Sequence, residues 1–296
     1  MRDALPPISR WNPRGRPARC VHLLHGMAEH SGRYERFANC LAAAGYVVWA
    51  HDHRGHGANA ASGKGHFGDR DGWRAVVNDA TRVTTRLAAE HPDTPLFLFG
   101  HSMGSFVAQT LLAGQTRYAG VVLAGSSGRA VATHCALLAL ALVERGLRGP
   151  RHQGRWANAL LRTAFSRQFR PTRTAADWLS RDEREVDAAL ADPLCGVGLT
   201  TQSWIDYARG LMALDMPRHF RHTGATVPVL IVAGTNDPVG ENGRGPTRLA
   251  RAMEKNEALS VTLRLYPLAR HELLNETNRD EVTRDLIEWL DAHRVA

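Results

Sequence analysis

The sequence predicts an α/β fold with a mostly parallel central sheet covered by helices on both faces and a helical cap inserted between its strands. Three observations carry that prediction. Short apolar runs with little polar alternation recur between segments of helical pattern. The recurrence stops between Gly128 and about Gly210, where helical pattern continues without a strand candidate, and then resumes. A serine flanked by glycines stands where one apolar run gives way to a helix. With 296 residues, 44% hydrophobic and 22% charged, the chain can bury one sizeable core, which excludes disorder for its bulk.

The elements follow in order. Residues 18–25 (ARCVHLLH) form an apolar run that ends at Gly26, and 33–44 continue as a helix. The unit repeats with a strand at 45–52, a helix at 72–91, a strand at 95–100, a helix at 103–113 and a strand at 119–124. After the insertion come a strand at 228–234, a helix at 245–255, a strand at 260–267 and a closing helix at 278–293. The expected organisation is a core of 1–127 and 210–296 with a cap of 128–209. In such sheets reactive groups collect at the carboxyl ends of the strands.

Composition narrows the function. The most apolar stretch, 130–143, is 14 residues long and falls short of the roughly 20 that span a bilayer. The first twenty residues carry positive charge and four prolines without an apolar centre, so no secretory signal is expected and the cytoplasm is the expected compartment. The cysteines at 20, 40, 135 and 195 make no C-x-x-C pair, which speaks against a zinc knuckle, a redox motif or a disulfide scaffold and for reduced, mostly buried thiols. The net charge of +8 comes from arginines scattered from end to end, so no nucleic-acid footprint is expected.

Chemistry concentrates at Gly100-His101-Ser102-Met103-Gly104. A G-x-S-x-G string arises by chance in roughly one such chain in ten; its placement between a strand and a helix makes it informative. A serine on so tight a turn needs neighbours two before and two after that are nearly free of side chain. The helix beginning at Met103 would aim its N-terminal amides at the same place. A serine hydroxyl is a weak nucleophile without a base. His271, in the loop between the strand at 260–267 and the last helix, can reach over the sheet edge, whereas His91, His134, His152, His219, His222 and His293 have no claim to a strand end. Asp237, after the strand at 228–234, can orient the imidazole, although on its own it also fits a turn before Pro238. The amides of Met103 and Met27, the latter following His25-Gly26, supply an oxyanion hole.

These residues carry a resemblance. LLHGMAEHSGRYERFANCLAAAGYVVWAHDHRGHG, GHSMG, SRDEREVDAALADPL and the late Asp237 and His271 together resemble the monoacylglycerol lipases and related lysophospholipases of the serine α/β-hydrolases, over nearly the whole chain from about Ile8. The resemblance implies an α/β-hydrolase fold with an eight-stranded core and a helical cap. It implies hydrolysis of a fatty-acyl ester of glycerol or a similar alcohol through an acyl-enzyme, with no cofactor and no metal. Ser102 matches the family nucleophile, Asp237 the acid, His271 the base, and Met27 and Met103 the oxyanion donors. Only Pro7 to Trp11 is available for the first antiparallel strand, and Leu274 and Gly240 replace a histidine and a cysteine of mammalian members.

Other conspicuous residues have plainer readings. His51-Asp52-His53 with His56 has the density of a metal site, but side chains alternate at a strand end and the resembling family keeps a similar stretch without metal. Glu29, His30 and Arg33 fit hydrogen bonding within their own loop. The cap opens with ALLALALV (136–143) followed by Arg145, Arg148, Arg151 and Arg155, which suits either a helix packed on the core or contact with a membrane or micelle. The partner expected is a small acyl ester. Two other functions stay open: an amidase of the proline iminopeptidase type, which needs free acids in the cap, and a ligand-binding receptor without turnover.

Overall fold

The computed structural model describes residues 4–114, 118–216, 220, 227–255 and 259–293. Strands β1 (Ile8–Trp11) and β2 (Arg19–Leu24), helix α1 (Glu35–Ala43), strand β3 (Tyr46–His51), helix α2 (Gly72–Glu90), strand β4 (Leu96–His101), helix α3 (Met103–Leu112) and strand β5 (Gly120–Ala124) come first. Helices α4 (Val131–Arg148), α5 (Arg155–Ser166), α6 (Glu183–Ala191) and α7 (Thr201–Leu214) follow with no strand among the described residues between them. Strand β6 (Val227–Gly234), helix α8 (Arg244–Glu254), strand β7 (Leu259–Tyr266) and helix α9 (Arg279–Ala292) close the chain. The strands assemble in the order β1-β3-β2-β4-β5-β6-β7, all parallel except β1, which runs antiparallel to β3. Among the described residues seven strands stand where the resemblance implied eight. One short strand, Ile8–Trp11, precedes β2, and Pro13 and Pro17 after it lack the amide that would extend its ladder.

Strands β2 to β5 are buried along their whole length, as a parallel sheet covered on both faces requires. Alternate residues feed two cores. Leu96 and Leu98 face the side covered by α2, α3, α7 and α8, while Phe97 and Phe99 face α1 and α9. Local signals fix several helix starts. Thr200 caps α7 by accepting the Ser203 amide, and Asp182 caps α6 by accepting that of Arg184. Pro246 sits in the first turn of α8, where no intrahelical donor is lost. The expected limit at residue 209 falls inside α7, which continues unbroken and lays Tyr207 against Trp73 of α2, ring centroids 5.6 Å apart. All four cysteines are free, but only Cys20 is buried: Cys40 lies on the solvent side of α1 and Cys135 on the outer side of α4.

Candidate active site

Ser102 joins β4 to α3 with φ +50° and ψ −119°, a conformation that side chains rarely adopt. The turn holds because its amide donates to the Ala124 carbonyl at the end of β5 (2.9 Å), and because its carbonyl accepts the Ser105 amide (2.9 Å) and hydroxyl (2.6 Å). Glycine at 104 is required by close approach, since a Cβ there would strike the carbonyls of Leu24 and His25 at the end of β2. With the Ser105 and Phe106 amides turned onto Ser102, the Met103 amide is left unpaired at the helix N-terminus.

His271 and Asp237 meet from neighbouring strand ends. Imidazole Nδ1 lies 3.0 Å from each carboxylate oxygen, and both residues are buried. Asp237 is itself held by the Val239 amide, which donates to Oδ1 (2.9 Å). With Nδ1 turned to Asp237, Nε2 is left for the cavity that Ser102 and Met27 also line. Ser102, His271 and Met27 thus line one cavity, with Asp237 behind His271 and Met103 next to Ser102 at the start of α3. That cavity has a volume of about 380 Å³, and its walls include Phe106, Leu161, Phe165, Trp178, Leu190 and Tyr207, drawn from the core and from helices α5 to α7.

Behind the cavity lies a polar network that sequence reasoning missed in part. Glu29 Oε1 accepts the Gly26 amide (2.5 Å) and the Tyr34 hydroxyl (2.7 Å) and lies 3.1 Å from His101 Nδ1. Arg33 lies 3.5 Å from Glu29 and donates to Glu272 at 2.6 Å. Burial opposes the charge on Glu29, but the bond to His101 and the positive charges of His101 and Arg33 outweigh it, so its carboxyl stays below the ordinary range. Burial likewise opposes charge on His101, and Glu29 reverses the balance and raises it above the usual histidine value. This pair clamps the loop after β2 against the residue that precedes Ser102. On the other side of the same loop, His25 Nδ1 lies 2.7 Å from the Gly26 carbonyl, and its Nε2 accepts the His53 amide (2.9 Å). Glycine at 26 is what lets these groups approach, because a Cβ would lie 2.5 Å from Glu29 Oε1 and 3.2 Å from Ser102 Cβ. The position of His101 inside the G-x-S-x-G string was the one signal available.

The histidine-rich stretch holds no converging set of ligand atoms. His51 Nδ1 pairs with His22 Nε2 and His56 Nδ1 with the Arg54 carbonyl, both at 3.0 Å, while the other nitrogen of each ring and both of His53 are buried unpaired, and the rings pack on one another and on His25. Among the described residues one group has metal-ligand spacing, His30, Asp192 and Cys195. There the imidazole already bonds Asp192 at 2.9 Å and Arg33 lies 4.0 Å from the sulfur. A cation beside the thiol, with the thiol pushed up to about 12 by burial, marks a contact between α6 and the β2 loop rather than an ion site.

Comparison with known proteins settles the family. A family model described as serine aminopeptidase S33 matches residues 15–278. A monoacylglycerol lipase of Mycolicibacterium smegmatis is 31% identical over 96% of this chain and 91% of its own length. The chain belongs to the monoacylglycerol lipase family of α/β-hydrolases. A mouse monoglyceride lipase is 28% identical over 97% of this chain and 86% of its own length. Among solved structures, a thermostable carboxyl esterase of Bacillus coagulans, in complex with glycerol, superposes with a TM-score of 0.89 at 27% identity, covering 97% of this chain and 94% of the other. The family's chemistry is carboxylic ester hydrolysis, and the site just described has the parts for it.

Proposed function

We propose that this protein is a serine esterase that hydrolyses fatty-acyl monoesters of glycerol. Ser102 Oγ attacks the ester carbonyl and passes its proton to His271 Nε2. Asp237 holds the proton on Nδ1 and stabilises the imidazolium, and the Met27 and Met103 amides receive the charge on the tetrahedral oxygen. His271 then protonates the leaving glycerol oxygen, and a water, deprotonated by the same imidazole, releases the acid from the serine. The observation that carries this reading is the meeting of a positive-φ serine at a helix N-terminus and a histidine–aspartate pair at one cavity, which Met27 also lines.

The relatives named for monoacylglycerol and monoglyceride hydrolysis support the alcohol. An aminopeptidase would need a free carboxylate for a substrate amine. The acids that line this cavity, Glu29 and Glu272, are both engaged with Arg33. We assign 128–209 as the cap, with α5, α6 and the first turns of α7 lining the cavity. The outer face of α4 leaves Val131, Leu142, Val143 and Leu147 exposed beside Arg145 and Arg148, a surface suited to an anionic lipid interface. No helix among the described residues is long and apolar enough to cross a membrane.

The test is turnover of p-nitrophenyl esters of rising chain length and of monoacylglycerols, with fluorophosphonate labelling. At roughly 30 Å³ per heavy atom, a cavity of about 380 Å³ takes about twelve to thirteen, which after the six of glycerol and the carbonyl oxygen leaves about five or six acyl carbons, so activity should peak at short acyl chains. A wild-type protein that neither turns over nor labels would instead be a binding module.

A further inference from the structure

The base of the site is attached to the cap. Seven of the polar contacts of the loop 270–276 go to one short segment of the insertion, residues 177–181. The Glu272 amide donates to the Leu179 carbonyl (2.8 Å), the His271 amide to that of Trp178 (3.4 Å), and the Arg270 guanidinium to the carbonyls of Asp177 and of Ser180 (3.0 Å to the latter). The Ser180 hydroxyl donates to the Asn275 carbonyl (2.7 Å). Glu276, fully buried, fastens both sides: it accepts the Arg270 amide (2.8 Å), the Arg181 amide (3.1 Å) and Arg181 Nε (2.7 Å). The segment is stiff in its own right, because Asp177 accepts the amides of Arg173 and Thr174 and the Thr174 hydroxyl.

This strap places one ring against the imidazole. The indole of Trp178 lies 5.1 Å from the His271 ring, centroid to centroid, at 38°, and Phe165 of α5 packs on the same indole at 4.9 Å. An aromatic face at that distance attracts a cation, most strongly where water is excluded. His271 becomes a cation at one stage of the reaction proposed above, while Ser102 attacks. We infer that Trp178 is a positioning residue for the His271 base, stabilising the imidazolium of the transition state through its ring and fixing the imidazole through the strap. The inference rests on the serine-esterase reading. The charged and titratable groups around His271 are Asp237 from the end of β6, His101 from the end of β4 with its ring 4.8 Å away, and Arg270 and Glu272 on its own loop; substitution at 178 leaves all of them in place.

The test compares Trp178→Phe, which keeps a π face, with Trp178→Leu and Trp178→Met, which keep apolar bulk without one. The substrate is p-nitrophenyl acetate, too short to depend on the acyl wall. The expected result for Leu and Met is a fall of kcat/KM by about 5- to 30-fold, carried by kcat with KM within about twofold. The acid limb of the pH profile should move to lower pH by the logarithm of the same factor, because the protonated free enzyme loses the same support. Trp178→Phe should retain most of the rate, and melting temperatures should stay close to wild type. Should the aliphatic variants fail to fold, fluorotryptophan incorporation weakens the π face without changing shape. The rate should then fall with each added fluorine in wild type but not in Trp178→Phe. Equal losses in Phe and Leu, a change confined to KM, or an unmoved acid limb would overturn the inference. Turnover that survives Ser102→Ala would overturn the underlying mechanism instead, a result separate from any of these.

Discussion

Acid should destabilise this protein through the histidines packed behind the nucleophile strand. His22, His25, His51 and His53 are buried, and burial holds each well below the ordinary histidine value, His22 at about 3. In the unfolded chain all four titrate near 6.5. Below that pH the unfolded chain binds protons that the fold refuses, so stability is full above about 6.5 and declines as the pH falls. A histidine that stays neutral in the fold at pH 5.5 costs it about 1.4 kcal/mol relative to pH 7.5. Four of them cost about 5–6 kcal/mol, a large share of the roughly 5–15 kcal/mol typical of a domain. His101 acts in the opposite sense: its raised value adds stability below 6.5 that is lost as pH rises through the folded value, but it is one group against four. Glu29, held low, keeps its contribution until the pH falls through its depressed folded value, so it does not enter at pH 5.5. Thermal unfolding at pH 7.5, 6.5 and 5.5 should show a melting temperature lower by about 10 °C or more at the acid end. Calorimetry at pH 5.5 in buffers of different ionisation heat should count about three to four protons taken up on unfolding. A melting temperature that moves by less than about 2 °C, with an uptake below about one proton, would show that these rings are charged or hydrated in the fold.

Three further outcomes follow from the same geometry. Ser102→Ala should abolish turnover and fluorophosphonate labelling, and Ser102→Gly should in addition melt a few degrees above Ser102→Ala, because relief of a side chain at φ +50° contributes about 1 kcal/mol. Gly104→Ala should lower stability by about 2–4 kcal/mol in urea unfolding, since the added methyl meets the backbone of β2 and not a side chain that can move aside. Leu142→Glu with Leu147→Glu should weaken flotation with anionic vesicles severalfold while leaving turnover of a dissolved short ester unchanged; undiminished flotation would remove α4 as the contact surface.

The inner strands β2 to β6 were legible because the sheet is buried there on both faces. An apolar run bounded by glycine or proline has little else to be, and 228–234 lies within one residue of β6; 260–267, at the sheet edge, alternates apolar with polar residues and still lies within one residue of β7. The candidate site was legible because its groups sit at strand ends, where chain order and the carboxyl edge together select Ser102, Asp237 and His271. What stayed hidden has no local period. Glu29 and His101 are 72 residues apart, and Arg181 and Glu276 are 95 apart. Their pairing depends on which loops the finished sheet brings together, and a lone Trp178 in a cap looks like any packing residue. The division has a physical consequence. The sheet edge brings Ser102, Asp237 and His271 together, while the loop that carries His271 is bonded to residues 177–181. A change at 177–181 is therefore expected to act on His271 as well as on the cavity wall that Trp178 forms.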